Sequence, residues 1–159
     1  MKHCMELTVN GHTHELFVDP LKSLASVLRE DLGLTSVKVG CNSGNCGSCT
    51  VLMDGKAVKS CITLALQAKG KEITTIEGLA ADGRLHPIQQ AFIDHFAVQC
   101  GFCIPGMILA AKALLDEDPD ADEDRVRKGL SGNLCRCTGY VKIVEAILAA
   151  KDGIKSQKE

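Results

Sequence analysis

Eight of the nine cysteines fall into two sets of four with different spacings. The first is Cys41, Cys46, Cys49 and Cys61, spaced C-x4-C-x2-C and then x11-C. The second is Cys100 and Cys103 in a C-x2-C pair, followed by Cys135 and Cys137 in a C-x-C pair. Each set of four thiolates reads as a [2Fe–2S] site. Two such sites in one small chain imply a path for single electrons. One cluster stores or passes an electron, whereas two in series conduct it between distant partners.

The spacing of the first set is that of plant-type ferredoxins, and it has a physical reason. Four thiolates converge on one cluster only if a tight loop wraps it. Such a loop needs residues that tolerate positive φ and leave the backbone bare. Here it reads Gly40-Cys41-Asn42-Ser43-Gly44-Asn45-Cys46-Gly47-Ser48-Cys49, with glycine and asparagine in most of the other positions. Inward-pointing amides of such a loop hydrogen-bond the sulfurs and help set the potential. The second set is less specific alone, because paired cysteines also hold zinc. Its flanks say more. Gln99-Cys100-Gly101-Phe102-Cys103 is followed by Pro105, Gly106 and an apolar helical run, and Ser131–Tyr140 leads into another. Both pairs therefore lie near helix N-termini, where free N–H groups favour an anionic cluster.

The strings GCNSGNCGSCT, QCGFCIPGM and SGNLCRCTGY resemble the small iron–sulfur subunit of the molybdenum hydroxylases, the xanthine oxidase family. The resemblance runs from about Leu7 to about Ala150, and all eight ligand positions match. It implies that a large partner subunit holds a molybdenum–pterin cofactor. It also implies that electrons pass from molybdenum through the pterin to the helical cluster, then to the plant-type cluster. From there they reach FAD on a medium subunit, or an external acceptor where that subunit is absent; reductase members run the relay backwards. Gln99 and Cys137 are, by the same resemblance, the residues beside the pterin. The complex it implies is a heterotrimer, assembled as a dimer of heterotrimers. The chain departs from the family at Val39, usually Glu; Asn45, usually acidic; Ser48, usually Ala; and Ile104, usually Thr or Ser. None removes a ligand. Val39 and Asn45 take negative charge away from the first cluster, which raises its potential.

These sites need elements to position them. With 159 residues the chain is one medium domain or two small ones, and it divides near residue 80. In the first part, Leu7-Thr8-Val9 and Leu16-Phe17-Val18 flank Asn10-Gly11, a hairpin turn signal. Asp19-Pro20 opens a helix with Leu21, Leu24, Ala25, Leu28 and Leu32 on one face. After the cysteine loop a second hairpin turns at Asp54-Gly55, and a further strand runs over Glu72–Ile76. Strands around one helix, with the cluster loop at an edge, predict a β-grasp ferredoxin domain over residues 1–78. Residues 79–84 form a linker. Residues 85–159 predict an all-α four-helix bundle that buries its cluster, so the fold class is α+β. Its stripes are Ile88, Ala91, Phe92 and Phe96; then Met107, Ile108, Ala111, Leu114 and Leu115; then Val126 and Leu130; then Val141, Val144, Ile147 and Leu148. The acidic stretch Asp116–Asp124 reads as a solvated loop that caps the next helix.

Composition excludes other classes. A net charge of −2 implies no general affinity for nucleic acid or for an anionic membrane. No apolar stretch approaches the ~18 residues that span a bilayer, and residues 1–6 lack a signal-peptide core. Nine cysteines in a leaderless chain indicate a reducing, cytoplasmic setting and metal ligation, not disulfides. Cys4 is the odd one out and reads as a buried spectator thiol. His3, His12, His14, His86 and His95 are not needed as ligands, since eight cysteines complete both sites. Arg136 is either structural or a charge that tunes the second cluster. No nucleophile elbow, Walker loop or dinucleotide fingerprint is present, so the chain carries no catalytic residues of its own. The expected role is a non-catalytic electron-transfer subunit of a larger oxidoreductase. The competing readings are a free-standing ferredoxin-like carrier and a zinc-stabilised interaction module.

Overall fold

The computed structural model describes residues 2–155; Met1 and residues 156–159, the outer ends of the two expected domains, lie outside the described residues. Strands β1 (His3–Val9) and β2 (His12–Val18) pair antiparallel across Asn10 and Gly11, whose φ values of 52° and 78° suit a two-residue hairpin turn. β3 (Thr50–Met53) and β4 (Lys56–Lys59) repeat the device across Asp54 and Gly55. β5 (Glu72–Thr74) lies between the hairpins, parallel to β1 and antiparallel to β3, giving the order β2-β1-β5-β3-β4.

The α-helix over this sheet begins later than the pattern predicts. The Asp19 carboxylate accepts the Leu21 N–H at 2.8 Å, which holds Asp19–Leu21 in a turn, and Leu21 is 81% exposed. Ser23 is the true cap: its hydroxyl accepts the Ser26 N–H, and α1 (Leu24–Ser26) continues as a wider π turn, Val27–Asp31, closed by Leu32 N–H to Val27 O. Leu24, Ala25 and Leu28 are buried as predicted. β5 stops two residues early because Asn10 captures Thr75 through both its N–H and its hydroxyl, and a 3₁₀ turn, Ile76–Leu79, follows. Cys4 is exposed, not buried. Met5, Leu7 and Val9 point into the core, so Cys4 is out of phase with them, and its thiol donates to Glu15.

Among the described residues the second half has four helices: α2 (Pro87–Asp94), α3 (Ile104–Glu117), α4 (Glu123–Gly129) and α5 (Val141–Lys155). His86 caps α2, and Asp122, at the end of the acidic stretch, caps α4 by accepting the Arg125 N–H. Phe96 falls outside the core, at 84% exposure. Helix α2 ends at Asp94 and Phe96 turns to φ +52°, while Ala97 takes the interior place. Val141, at the first turn of α5, also faces outward; the inner face is Ile143, Val144, Ala146, Ile147 and Ala150. The two halves build separate hydrophobic cores, one under the sheet around Leu7, Leu24, Leu28 and Ile73, the other around Phe92, Met107, Leu115 and Ile147. Among the described residues no helix is long and apolar enough to cross a membrane.

Candidate metal centres

The first cysteine loop is wound by left-handed residues. Asn42, Gly44 and Gly47 have φ of 53°, 79° and 74°, which turn the chain back on itself and aim backbone N–H groups inward. Cys41 Sγ accepts from the amides of Ser43 and Cys46, each at 3.4 Å. The Ser43 hydroxyl and these amides hold the Cys41 thiol down at about 5, well inside the thiolate range at neutral pH. Cys46 Sγ lies 3.6 Å from the Ser48 hydroxyl. The inner thiol of Cys61 behaves oppositely. Cys49 and Cys61 are buried, and burial, followed by a hydrogen bond with Cys49, pushes Cys61 up to about 11. The thiols therefore meet as an outer pair, Cys41 with Cys46, and an inner pair, Cys49 with Cys61.

The second set is held by helix starts. Cys103 is the residue before the first turn of α3, with Pro105 inside that turn, and Cys135 and Cys137 lie on the segment that enters α5. Cys137 Sγ is 3.5 Å from Cys100 Sγ, and Cys103 hydrogen-bonds Cys135. Burial pushes Cys103 up to about 12. Burial would raise Cys135 too, but the Thr138 hydroxyl at 3.1 Å and the Thr138 N–H at 3.4 Å outweigh it and lower that thiol. Tyr140, at φ +69°, places its hydroxyl to accept the Cys135 N–H at 2.8 Å, which fixes the loop. The bundle does not bury this site as a whole. Cys103 is interior and Cys135 half-buried, but Cys100 and Cys137 are exposed. Cys103 belongs to the helical core and Cys135 packs against it, while Cys100 and Cys137 lie on its exposed edge. Gln99 precedes Cys100 and is likewise exposed, so Gln99 and Cys137 share this outer rim.

Both donor sets fit [2Fe–2S] clusters. Two thiolates on one tetrahedral metal, with bonds of ~2.3 Å, lie about 3.8 Å apart. The thiols here meet in twos, Cys41 with Cys46 and Cys49 with Cys61, Cys100 with Cys137 and Cys103 with Cys135. Two pairs per site suit two irons, one pair to each. The clusters, when bound, would be held by Cys41, Cys46, Cys49 and Cys61, and by Cys100, Cys103, Cys135 and Cys137.

The sites meet at a seam that sequence reasoning missed. Leu134 N–H donates to Cys46 O at 2.8 Å, so one hydrogen bond joins a thiol-bearing residue of the first set to the neighbour of Cys135 in the second. Buried Asn133 donates to Gly47 O, Thr50 Oγ1 and Gly106 O. The approach requires glycine on both sides. A Cβ at Gly47 would sit 2.3 Å from Gly132 O, and one at Gly106 2.5 Å from Gly47 O. Phe102 packs beside Gly40. Lys59, at the end of β4, reaches Gly132 O at 2.9 Å and Thr50 Oγ1 and Asn133 Oδ1 at 3.1 Å. Lys59 and Asn133 carry no signal of their own in the sequence; only their position before or between cysteines marks them.

Comparison with known proteins finds two families along the chain. A family of 2Fe-2S iron-sulfur cluster binding domains covers residues 7–78, and a second family, the [2Fe-2S] binding domain, covers residues 75–148. The chain is 51% identical over 146 residues to the nicotinate dehydrogenase small FeS subunit of Eubacterium barkeri, covering 92% of this chain and 93% of that one. It is 50% identical over 146 residues to the xanthine dehydrogenase iron-sulfur-binding subunit of Escherichia coli O157:H7, covering 91% of each. Among solved structures, a chain of quinoline 2-oxidoreductase from Pseudomonas putida 86 superposes with a TM-score of 0.94 at 44% identity over 99% of both chains. Aldehyde oxidoreductase from Desulfovibrio gigas matches with a TM-score of 0.92 at 46% identity over 98% of this chain, but only 17% of its own.

Proposed function

Since this chain belongs to the small [2Fe–2S] subunits of the molybdenum hydroxylases, with two 2Fe–2S domains, we propose that it relays single electrons between a molybdenum–pterin site and FAD or an external acceptor. Each cluster supplies a one-electron store. The residues of this chain hold the two stores back to back and give each an exposed rim. The observation that carries the reading is the seam, where the Cys46 carbonyl accepts the Leu134 N–H one residue before Cys135. Two separately folded sites joined by so short a bonded route are suited to conduction, and a zinc-stabilised module has no use for it.

In this reading Cys100, Cys103, Cys135 and Cys137 form the site on the molybdenum side, with Gln99 and Cys137 facing the pterin. Cys41, Cys46, Cys49 and Cys61 form the site on the acceptor side. The sheet half, residues 1–78, and the helical half, residues 85–159, each serve one partner across the short connection 79–84. The partners are a large molybdenum subunit and a medium FAD subunit, assembled as a dimer of heterotrimers in the cytoplasm. The exposed outer thiols support this, because a rim open in the isolated chain is where a partner's cofactor approaches.

The test is co-expression with the neighbouring subunits, followed by size-exclusion mass, metal and flavin content, and EPR of the reduced complex. The expected result is a large complex with molybdenum and two distinguishable [2Fe–2S] signals. A monodisperse 17.0 kDa monomer that reduces unrelated acceptors would establish the free carrier instead, and stoichiometric zinc would remove the redox role.

A further inference from the structure

Lys59 stands apart from the other lysines of the seam and its surroundings. Its ammonium has three donors, and all three are spent on uncharged oxygens: Thr50 Oγ1, Gly132 O and Asn133 Oδ1. Lys22, Lys71, Lys112 and Lys142 pair with carboxylates, but no ion pair among the described residues includes Lys59. Its charge is thus held without a counter-ion. It is also half-buried, so solvent and salt screen it less than a surface lysine. Lys59 lies two residues before Cys61 and donates to Thr50, the residue after Cys49, which sets its ammonium beside the first set; burial works against the charged form, and the thiols of that set act back in its favour. Acidic side chains are absent from the sequence between Asp31 and Asp54 and again between Asp54 and Glu72, so nothing in this loop and hairpin offsets the cation except Asp54 at the far turn.

A reduced cluster carries one more negative charge than an oxidised one, and a fixed cation nearby favours the reduced form. We propose that Lys59 is a potential-setting residue: lodged in the seam on three neutral oxygens, it raises the reduction potential of the Cys41, Cys46, Cys49, Cys61 site relative to the Cys100, Cys103, Cys135, Cys137 site. It thereby draws electrons across the Cys46–Leu134 bridge toward the first site. This rests on the cluster assignments under the proposed function. Lys59 touches no ligand atom and acts through its field, so its effect belongs to the potential and not to the number of clusters bound.

The experiment is an EPR-monitored redox titration of the complete complex carrying Lys59→Met, with Lys59→Arg as the charge-retaining control. The expected result is a tenfold or larger loss in the reduction equilibrium of the first site, which is 59 mV for one electron, with a smaller change at the second. Lys59→Arg is expected to keep most of the wild-type potential. Where Lys59→Met loads poorly, Lys59→Gln, which still donates to a seam carbonyl without charge, gives the same reading. An unmoved first-site potential with both signals intact would overturn the inference. So would equal shifts at both sites, or an arginine variant that behaves like methionine. Wild-type protein lacking two signals would instead sink the cluster assignments, and this inference with them.

Discussion

The two cysteine sites each gather four thiols, and by opposite means. The first is wrapped by a loop of left-handed residues, with Asn42, Gly44 and Gly47 turning backbone amides toward Cys41. The second is set at helix starts, with Cys103 ahead of α3 and Cys135 tied by Thr138 and Tyr140 ahead of α5. The loop brings its own donors, and the β3–β4 hairpin returns Cys61 to it. The helical site takes donors from Thr138, in the segment that enters α5, and depends on where the bundle places that segment. Each site keeps one pair of thiols toward the interior and one toward an exposed rim. An electron carrier needs both: a rim for exchange with a partner, and an inner shell that limits solvent around the cluster.

The largest expected effect comes from breaking one site and sparing the other. Cys103→Ser removes the buried inner ligand of the helical site. The loaded complex should lose the second EPR signal and about half its iron, keep the plant-type signal, and lose most substrate-driven reduction of the acceptor. Loss of both signals with the fold intact would mean that the sites do not load independently. A smaller effect comes from wedging the sites apart. Gly106→Ala puts a Cβ 2.5 Å from Gly47 O. Overpacking of this kind costs about 1–3 kcal/mol, measured by denaturant unfolding, and cluster-to-cluster electron transfer should slow. A variant as stable and as fast as wild type would show that the seam tolerates separation. The smallest effect is expected from Ser48→Ala, which removes the hydroxyl 3.6 Å from Cys46 Sγ. In the free thiol Cys46 donates to this hydroxyl; on a ligating thiolate the hydroxyl would be the donor, which raises the potential, so the first site should fall by less than the ~59 mV of a tenfold change while the second stays put. A rise in potential would show that the hydroxyl does not donate to the sulfur.

Much of the molecule is written locally in the chain. Both hairpins follow from Asn10-Gly11 and Asp54-Gly55, because two left-handed residues in succession admit only one tight turn. The helices of the second half follow from their apolar stripes, and the eight cysteines follow from spacing. The misplaced details were decided at element ends. Leu21 and Phe96 match a helical stripe yet lie beyond caps set by Ser23 and by the turn after Asp94. Cys4 matches an apolar strand by type but sits on the outward phase of β1. Side-chain hydrogen bonds made locally decided the start of α1, and strand phase decided Cys4; hydrophobic spacing registers neither.

By itself, then, the amino-acid order determined the spacing of the paired cysteines, the strand and helix patterns of the two halves and the turns, since each depends on residues close to one another along the chain. Only the tertiary structure decided how the halves meet. The Cys46 carbonyl finds the Leu134 amide, Asn133 enters between Gly47 and Gly106, and Lys59 is left in the seam without a carboxylate. Those partners lie more than 70 residues apart in most cases. No periodicity or spacing rule spans that distance, because it is the closing of two separately built cores against each other that brings them into contact.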